Sequence, residues 1–325
     1  MLNIQKKKNP LFFCPLTNVN FSTIILLMFT KKRHDGTYLR NLHFFTQMLP
    51  FLMPTRSEAV IYFETEYDVT DTLKYIREKR REGCPYQISL FYLILYASVR
   101  AMAQRPKMNR FVSGHRYYQR NRIVFNFVAK REMSDEGDEV NVTMSFSPLL
   151  TLEGFCIKIH EHISNVKKGE QTDSEKTNSF FTKLPRFLLK FAVWGLKYLD
   201  YHNGVPKSVL NSLPFWCSIF FTNVGSVGVD APFHHNFELG NCGIFCAIGK
   251  VRKENCINPD GTVEKRDKVK ITYTYDDRIT DGIYCARAID MVKDLVEHPE
   301  KLEVPLELTA EQINYLKLAK TEWNV

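Results

Sequence analysis

Near the C-terminal end of the chain, Asp276-Asp277-Arg278-Ile279-Thr280-Asp281-Gly282 places three carboxylates and one guanidinium in a single short segment. A strand-like run, residues 269–275, leads into it, and a helix-like run, residues 284–297, leads out. Strand, charged turn, helix is a common way to present a reactive side chain. A carboxylate held there can serve as a general base if its surroundings bring its pKa toward that of the proton donor. An ordinary aspartate near about 3.9 facing a thiol near about 8.5 takes the proton uphill by roughly 6 kcal/mol. Burial and the neighbouring Asp276 would push Asp277 toward that task, and Arg278 would oppose it. A surface or salt-bridged aspartate is the simpler reading. A second source of a base is the tandem His234-His235, in Ala231-Pro232-Phe233-His234-His235-Asn236, because imidazole titrates near neutral pH. A structural or interface pair is the alternative there.

The elements that must position these groups follow from periodicity. Residues 59–67 alternate as a strand. Residues 69–81 read as a helix ended by Gly83 and Pro85, and residues 90–103 as a buried helix capped by Ser89. Strands are expected at 116–118, 123–129 and 140–146, with a charged turn at 135–139. A helix at 152–166 and a polar loop at 167–178 follow. Residues 183–201 read as a strongly apolar helix, with Pro185 at its start and Arg186, Lys190 and Lys197 interspersed. It is read as buried in the fold or in a subunit interface, as an acyl-pocket wall, or as an interfacial membrane helix. Residues 215–223 read as a strand and Gly225–Gly228 as its turn. Residues 244–251 form another strand, and a hairpin with Asn258-Pro259-Asp260-Gly261 at its tip returns the chain to the charged turn. The order implies an α/β sandwich with a mixed sheet in one domain, residues 58–305. Around it lie an irregular arm at 28–57, a tail at 306–325 and a non-core extension at 1–27, with Met28 as an alternative start. The apolar stretch of that extension is too broken for a signal peptide or a membrane span.

Composition narrows the function classes. The chain has 325 residues, 44% hydrophobic and 25% charged, which suits a soluble globular protein. The net charge of +8 is spread along the chain without an arginine-rich tail, so no nucleic-acid partner is expected. It fits a solvated basic surface or attraction of an anionic ligand such as a phosphorylated coenzyme. Eight cysteines show no C-x-x-C pair and no zinc spacing. They read as reduced thiols of a cytoplasmic protein, with no metal.

Four stretches, in order, resemble one family. Pro106-Lys107-Met108-Asn109 is similar to "PELN", and Ser218-Ile219-Phe220-Phe221-Thr222-Asn223-Val224-Gly225-Ser226 to "TFTISNLGS". Residues 244–250 are similar to "AILGVG", and the charged turn to Asp-His-Arg-x-x-Asp-Gly. This is the pattern of the catalytic domain of 2-oxoacid dehydrogenase acyltransferases, whose core signature is shared with chloramphenicol acetyltransferases. The resemblance implies a chloramphenicol-acetyltransferase-like two-layer sandwich. It implies acyl transfer to or from coenzyme A, and a homotrimer with the active site between subunits. Dehydrogenase-complex-like partners are a further implication. By position Thr222 takes the oxyanion-donating role, next to Asn223. Asp281 and Gly282 complete the signature, with Arg278 as a partner for Asp281. Asp277 stands where the family has its histidine base, so His235 or His234 is an alternative base. No lipoyl domain precedes the match, so no lipoyl arm is expected on this chain. The exchange at Asp277 leaves three readings open: an acyltransferase with an altered base, a non-catalytic module holding coenzyme A or an acyl thioester, and a structural trimer subunit of a larger assembly.

Overall fold

The computed structural model describes residues 33–131, 137–169, 172, 175 and 184–318. The chain divides into two units, Met1–Lys31 and Lys32–Val325, and every described residue belongs to the second. The expectations for residues 1–27 and Met28, for most of the loop at 167–178, for part of the turn at 135–139 and for the last residues of the tail fall outside the described residues.

In chain order the elements are β1 (Gly36–Tyr38), α1 (Phe44–Leu52), β2 (Val60–Asp68), α2 (Thr70–Arg81), α3 (Leu90–Gln104), β3 (Arg110–Ser113), β4 (Arg116–Arg120), β5 (Ile123–Lys130), β6 (Glu139–Phe146), α4 (Leu152–Lys167), α5 (Arg186–Tyr201), α6 (Lys207–Ser212), β7 (Ile219–Asn223), β8 (Ile244–Ile257), β9 (Val263–Asp276), α7 (Gly282–Glu297) and α8 (Ala310–Leu316). The main sheet has six strands in the order β2-β9-β8-β7-β5-β6. It is mixed, because β7 runs parallel to both of its neighbours and every other pair is antiparallel.

The period of two in these strands sorts their side chains onto two faces. Phe125, Phe221, Cys246, Ile271, Tyr273 and Tyr275 point to the large core, where α3, α4 and α7 bury their own apolar stripes. Helix α3 is buried from Tyr92 to Ala103, and Ser89 caps it by accepting from the Tyr92 amide at 3.2 Å. Val124, Phe220 and Phe245 point the other way and close a smaller cluster with Cys217 and Cys242. The result is the expected α/β sandwich with a mixed sheet.

Several local expectations are corrected. The arm at 28–57 is not irregular: it carries β1 and α1, and α1 tolerates Pro50 in its last turn. A second, three-stranded sheet, β1-β4-β3, joins the arm to the body. Strand β7 starts at Ile219 rather than Phe215, because Cys217 and Ser218 enter through a crossing in which the Ser218 hydroxyl accepts from the Val124 amide at 3.0 Å. The tail contains α8, closed by a capping box between Thr309 and Gln312. The apolar helix, α5, is not buried in the fold, since Asp200 is its one buried residue.

Candidate active site

Asp276 ends β9 and points away from the helical layer; it is fully buried. Its carboxylate takes a bidentate salt bridge from Arg278, at 2.8 and 2.7 Å, and also accepts the Arg278 amide at 3.1 Å. The same guanidinium donates to the Met53 carbonyl at 2.9 Å and to the Pro54 carbonyl, which fastens the end of the arm to the turn. Asp276 and Arg278 therefore neutralise each other. Arg278 pairs with Asp276 and not, as expected, with Asp281. Asp281 is exposed and caps α7 instead, accepting the Tyr284 amide at 2.9 Å.

Asp277 is half-buried at the tip of the turn. Its amide donates to the Ala59 carbonyl at 2.8 Å, and its carboxylate accepts the Tyr275 hydroxyl at 3.0 Å. Burial, with Cys285 and Asp277 close by, pushes the Tyr275 phenol well above its ordinary value, so it stays a donor. Gly282 follows Asp281 as the first residue of α7.

Thr222 lies near the C-terminal end of β7, on the face turned away from the helices, and Asn223 ends the strand. In register, Thr222 pairs with Ala247, and Ala247 with Thr272. Asp277 lies five residues beyond Thr272 and two strands across from Thr222. At about 3.3 Å per residue and about 4.8 Å per strand, that separates them by roughly 19 Å. One chain does not bring Asp277 and Thr222 into one site.

What the fold does bring to Thr222 is His234. Both line a cleft of about 400 Å³ whose walls include Phe220, Phe237 and Phe245, with Glu139 at its side. The loop carrying His234 is laid along β9, where the Thr272 hydroxyl donates to the Pro232 carbonyl at 2.6 Å and the Thr274 hydroxyl donates to that of His234. The imidazole stacks on Phe245, with centroids 3.7 Å apart and planes 4° from parallel. Its Nδ1 lies 2.8 Å from the His235 carbonyl. A carbonyl only accepts, so Nδ1 carries the proton and Nε2 keeps its lone pair. Burial holds His234 below its ordinary pKa; the bond to the His235 carbonyl opposes this, and the neighbouring His235 adds to it. The ring is therefore neutral near pH 7. His235 is placed differently, its Nδ1 turned to the Asn236 carbonyl at 3.3 Å. The aromatic walls were not singled out in the sequence. The alternation in 219–223 and 244–248 was their one signal, because it puts Phe220 and Phe245 on the same face as Thr222.

Cys156 and Cys285 are not candidates. Among the described residues no cysteine is in a disulfide. Burial pushes Cys156 and Cys285 up to about 12, far from a thiolate at neutral pH. Among the same residues no group of three or more His, Cys, Asp or Glu is placed to hold a metal ion. No helix among them is long and apolar enough to cross a membrane.

Residues 217–304 match the family model for the 2-oxoacid dehydrogenases acyltransferase (catalytic domain). The sequence matches no curated protein. Among solved structures, a probable dihydrolipoamide acetyltransferase from Listeria monocytogenes superposes with a TM-score of 0.53 at 15% identity, over 85% of this chain and 98% of that one. The cubic core of a pyruvate dehydrogenase multienzyme complex gives 0.54 at 10% identity, over 82% and 94%. The Azotobacter vinelandii dihydrolipoamide acetyltransferase, studied for the role of a serine, a histidine and an asparagine in its mechanism, gives 0.53 at 11% identity, again over 82% and 94%. At these identities the superpositions establish the fold. Residues 217–304 thus match the catalytic-domain family of 2-oxoacid dehydrogenase acyltransferases, on a chain that folds like the dihydrolipoamide acetyltransferase cores.

Proposed function

We propose that this protein transfers an acyl group between a coenzyme A thioester and an acceptor, with His234 as the proton-accepting base and Thr222 as the oxyanion donor. The observation that carries this reading is the shared cleft: a neutral imidazole, protonated on Nδ1, and a strand-end hydroxyl line one aromatic-walled space. His234 takes the proton of the attacking group, the carbonyl carbon becomes tetrahedral, and the Thr222 hydroxyl donates to its oxygen. Collapse expels the coenzyme A thiolate, which recovers the proton. Magnitude favours the imidazole. Deprotonating a thiol of about 8.5 by an ordinary imidazole of about 6.5 is uphill by roughly 3 kcal/mol, and by more for the lowered His234, against roughly 6 for an ordinary carboxylate.

Asp277 has a separate place in this proposal. In the Azotobacter enzyme the studied histidine and asparagine stand four residues apart, as Asp277 and Asp281 do here. In a homotrimer with the site between subunits, the Asp277 turn of one copy would face the Thr222 cleft of the next. There the carboxylate would position the acceptor rather than deprotonate it.

The test is release of coenzyme A from a panel of acyl-coenzyme A donors with thiol, amine and hydroxyl acceptors. His234→Gln is expected to lower turnover by about 10²–10⁴, the usual worth of a general base. Thr222→Val is expected to lower kcat by about 10²–10³, as loss of one oxyanion donor does. Asp277→Ala should keep turnover within about tenfold. Turnover abolished by Asp277→Ala and kept by His234→Gln would make Asp277 the base. Coenzyme A binding with no turnover for any acceptor would leave a binding module.

A further inference from the structure

We propose that α5 and α1 together form a docking surface for an anionic lipid membrane, on which the protein lies without crossing it. The outer stripe of α5 is Phe187, Phe191, Trp194 and Tyr198, at spacings of four, three and four, which aligns them on one side of the helix. They are 63%, 67%, 64% and 51% exposed on the single chain, which gains nothing from holding four large rings in water. The inner side of the helix is already satisfied: Leu196 packs against the cluster of Val205, Leu210, Leu213 and Trp216.

The charges are ordered relative to that stripe. Arg186, Lys190 and Lys197 each immediately precede one of its rings, so they form a basic row about 100° round the helix from it. The one acidic residue of α5, Asp200, is buried, with its carboxylate held by Arg33 at 2.9 Å and by the Trp216 indole at 2.9 Å. The exposed surface of α5 is thus aromatic and basic with no negative charge.

Helix α1 extends the same surface. It contains no charged residue, and Phe44, Phe45, Met48, Phe51 and Leu52 are all exposed. Its Phe51 ring stacks on His115 at 4.7 Å, and His115 Nδ1 lies 3.1 Å from the Tyr201 hydroxyl at the end of α5. The basic row decides the occupant. A two-fold contact between copies would bring two such rows onto one interface, with no acidic group on α5 to meet them, and the three-fold contact proposed above joins other faces, the Asp277 turn of one copy and the Thr222 cleft of the next. Anionic headgroups meet them directly, while Trp194 and Tyr198 take the level that such rings favour between headgroup and acyl chain.

The full chain is to be floated with vesicles of phosphatidylcholine alone and of phosphatidylcholine with phosphatidylglycerol, at low and high salt. Binding is expected to the anionic vesicles, weakened by salt, with a blue shift in tryptophan emission that Trp194→Phe removes. The double variant Phe191→Ser, Trp194→Ser should bind at least roughly tenfold more weakly, since it removes two large rings that the membrane would bury, with an unchanged melting temperature. The triple variant Arg186→Glu, Lys190→Glu, Lys197→Glu should abolish the preference for anionic vesicles. Absence of vesicle binding would overturn the proposal, and so would binding undiminished in the double variant, which would place the contact elsewhere on the chain. Conversion of an oligomer to monomers by the double variant, with no vesicle capture in the parent, would make this face an interface between copies. None of these outcomes depends on acyl transfer.

Discussion

His234 and Asp277 differ in the pH at which each gives up its role, and that separates them without a substrate structure. His234 acts as a base only when neutral. Burial holds its pKa below the ordinary value of about 6.5, so the neutral form persists to lower pH than for a free imidazole. The kcat/KM profile is therefore expected to be flat at neutral pH and to fall on the acid side, with an apparent pKa under about 6.5. The residual activity of His234→Gln should lose that limb. A limb centred near 4, kept in His234→Gln, would assign the proton to a carboxylate. The sequence named both candidates and Thr222, but it did not place them. Asp277 is singled out by standing where the resembled family has its histidine base, and its charged neighbours Asp276 and Arg278 face each other at 2.7 Å. The partnership of Thr222 and His234 depends on a twelve-residue separation in chain being closed by a loop that crosses β8 and β9, and no local pattern records that crossing.

At the scale of elements, the loop that carries His234 is held by close backbone approach as well as by the Thr272 and Thr274 hydroxyls. The Lys250 amide donates to the Val229 carbonyl at 3.0 Å where the loop passes over β8. A Cβ on Gly249 would lie 2.6 Å from the Ala231 amide nitrogen and 3.1 Å from the Lys270 carbonyl, with rigid backbone on both sides. Gly249→Ala must therefore lift the loop. The expected cost is about 1–3 kcal/mol, the usual range for overpacking, read as a lower urea midpoint. Activity should fall further than stability does, because the lifted segment carries the imidazole. An unchanged urea midpoint would mean that the loop does not rest on β8. The long buried elements were legible because their periods are unambiguous: α3, α7, β5 and β6 fall close to where alternation and capping put them. Helix α1 was not legible, since Pro50 argued against a helix and its apolar residues show no inward face. The burial expected for α5 was read from composition, which reports how apolar a helix is and not whether anything covers it.

For the molecule as a whole, a buried polar chain ties the arm to both sheets. Arg33 meets Asp35 at 2.7 Å and Asp200 at 2.9 Å, Asp35 accepts from the Asn241 amide group at 2.7 Å, and Asn241 takes the Arg120 guanidinium at 2.8 Å. A second tie runs from Ser57 and the Arg56 amide to Glu238. Burial alone would raise the Asp35 carboxyl, but Arg33, then Arg120 and Asn241, hold it below the ordinary carboxylate value. Glu238 is likewise lowered, with burial opposed by the Ser57 hydroxyl and the backbone amides of Ser57 and Arg56. In the unfolded chain these groups titrate near about 3.9 and 4.3. A folded pKa below the unfolded one means that the unfolded chain binds more protons in that range, so stability rises with pH there. The contribution is complete above the unfolded values and is lost as pH falls through the folded ones. The melting temperature is thus expected to be level from pH 7 to about 5 and to drop below about 4. Asp35→Asn leaves Arg33 and Arg120 buried without that carboxylate. It should cost about 3–5 kcal/mol at pH 7, the usual penalty for breaking a buried ion pair, and the acid drop should become shallower. A variant as stable as the parent at pH 7, with the same acid drop, would show that the arm is held by its apolar contacts rather than by this chain of charges.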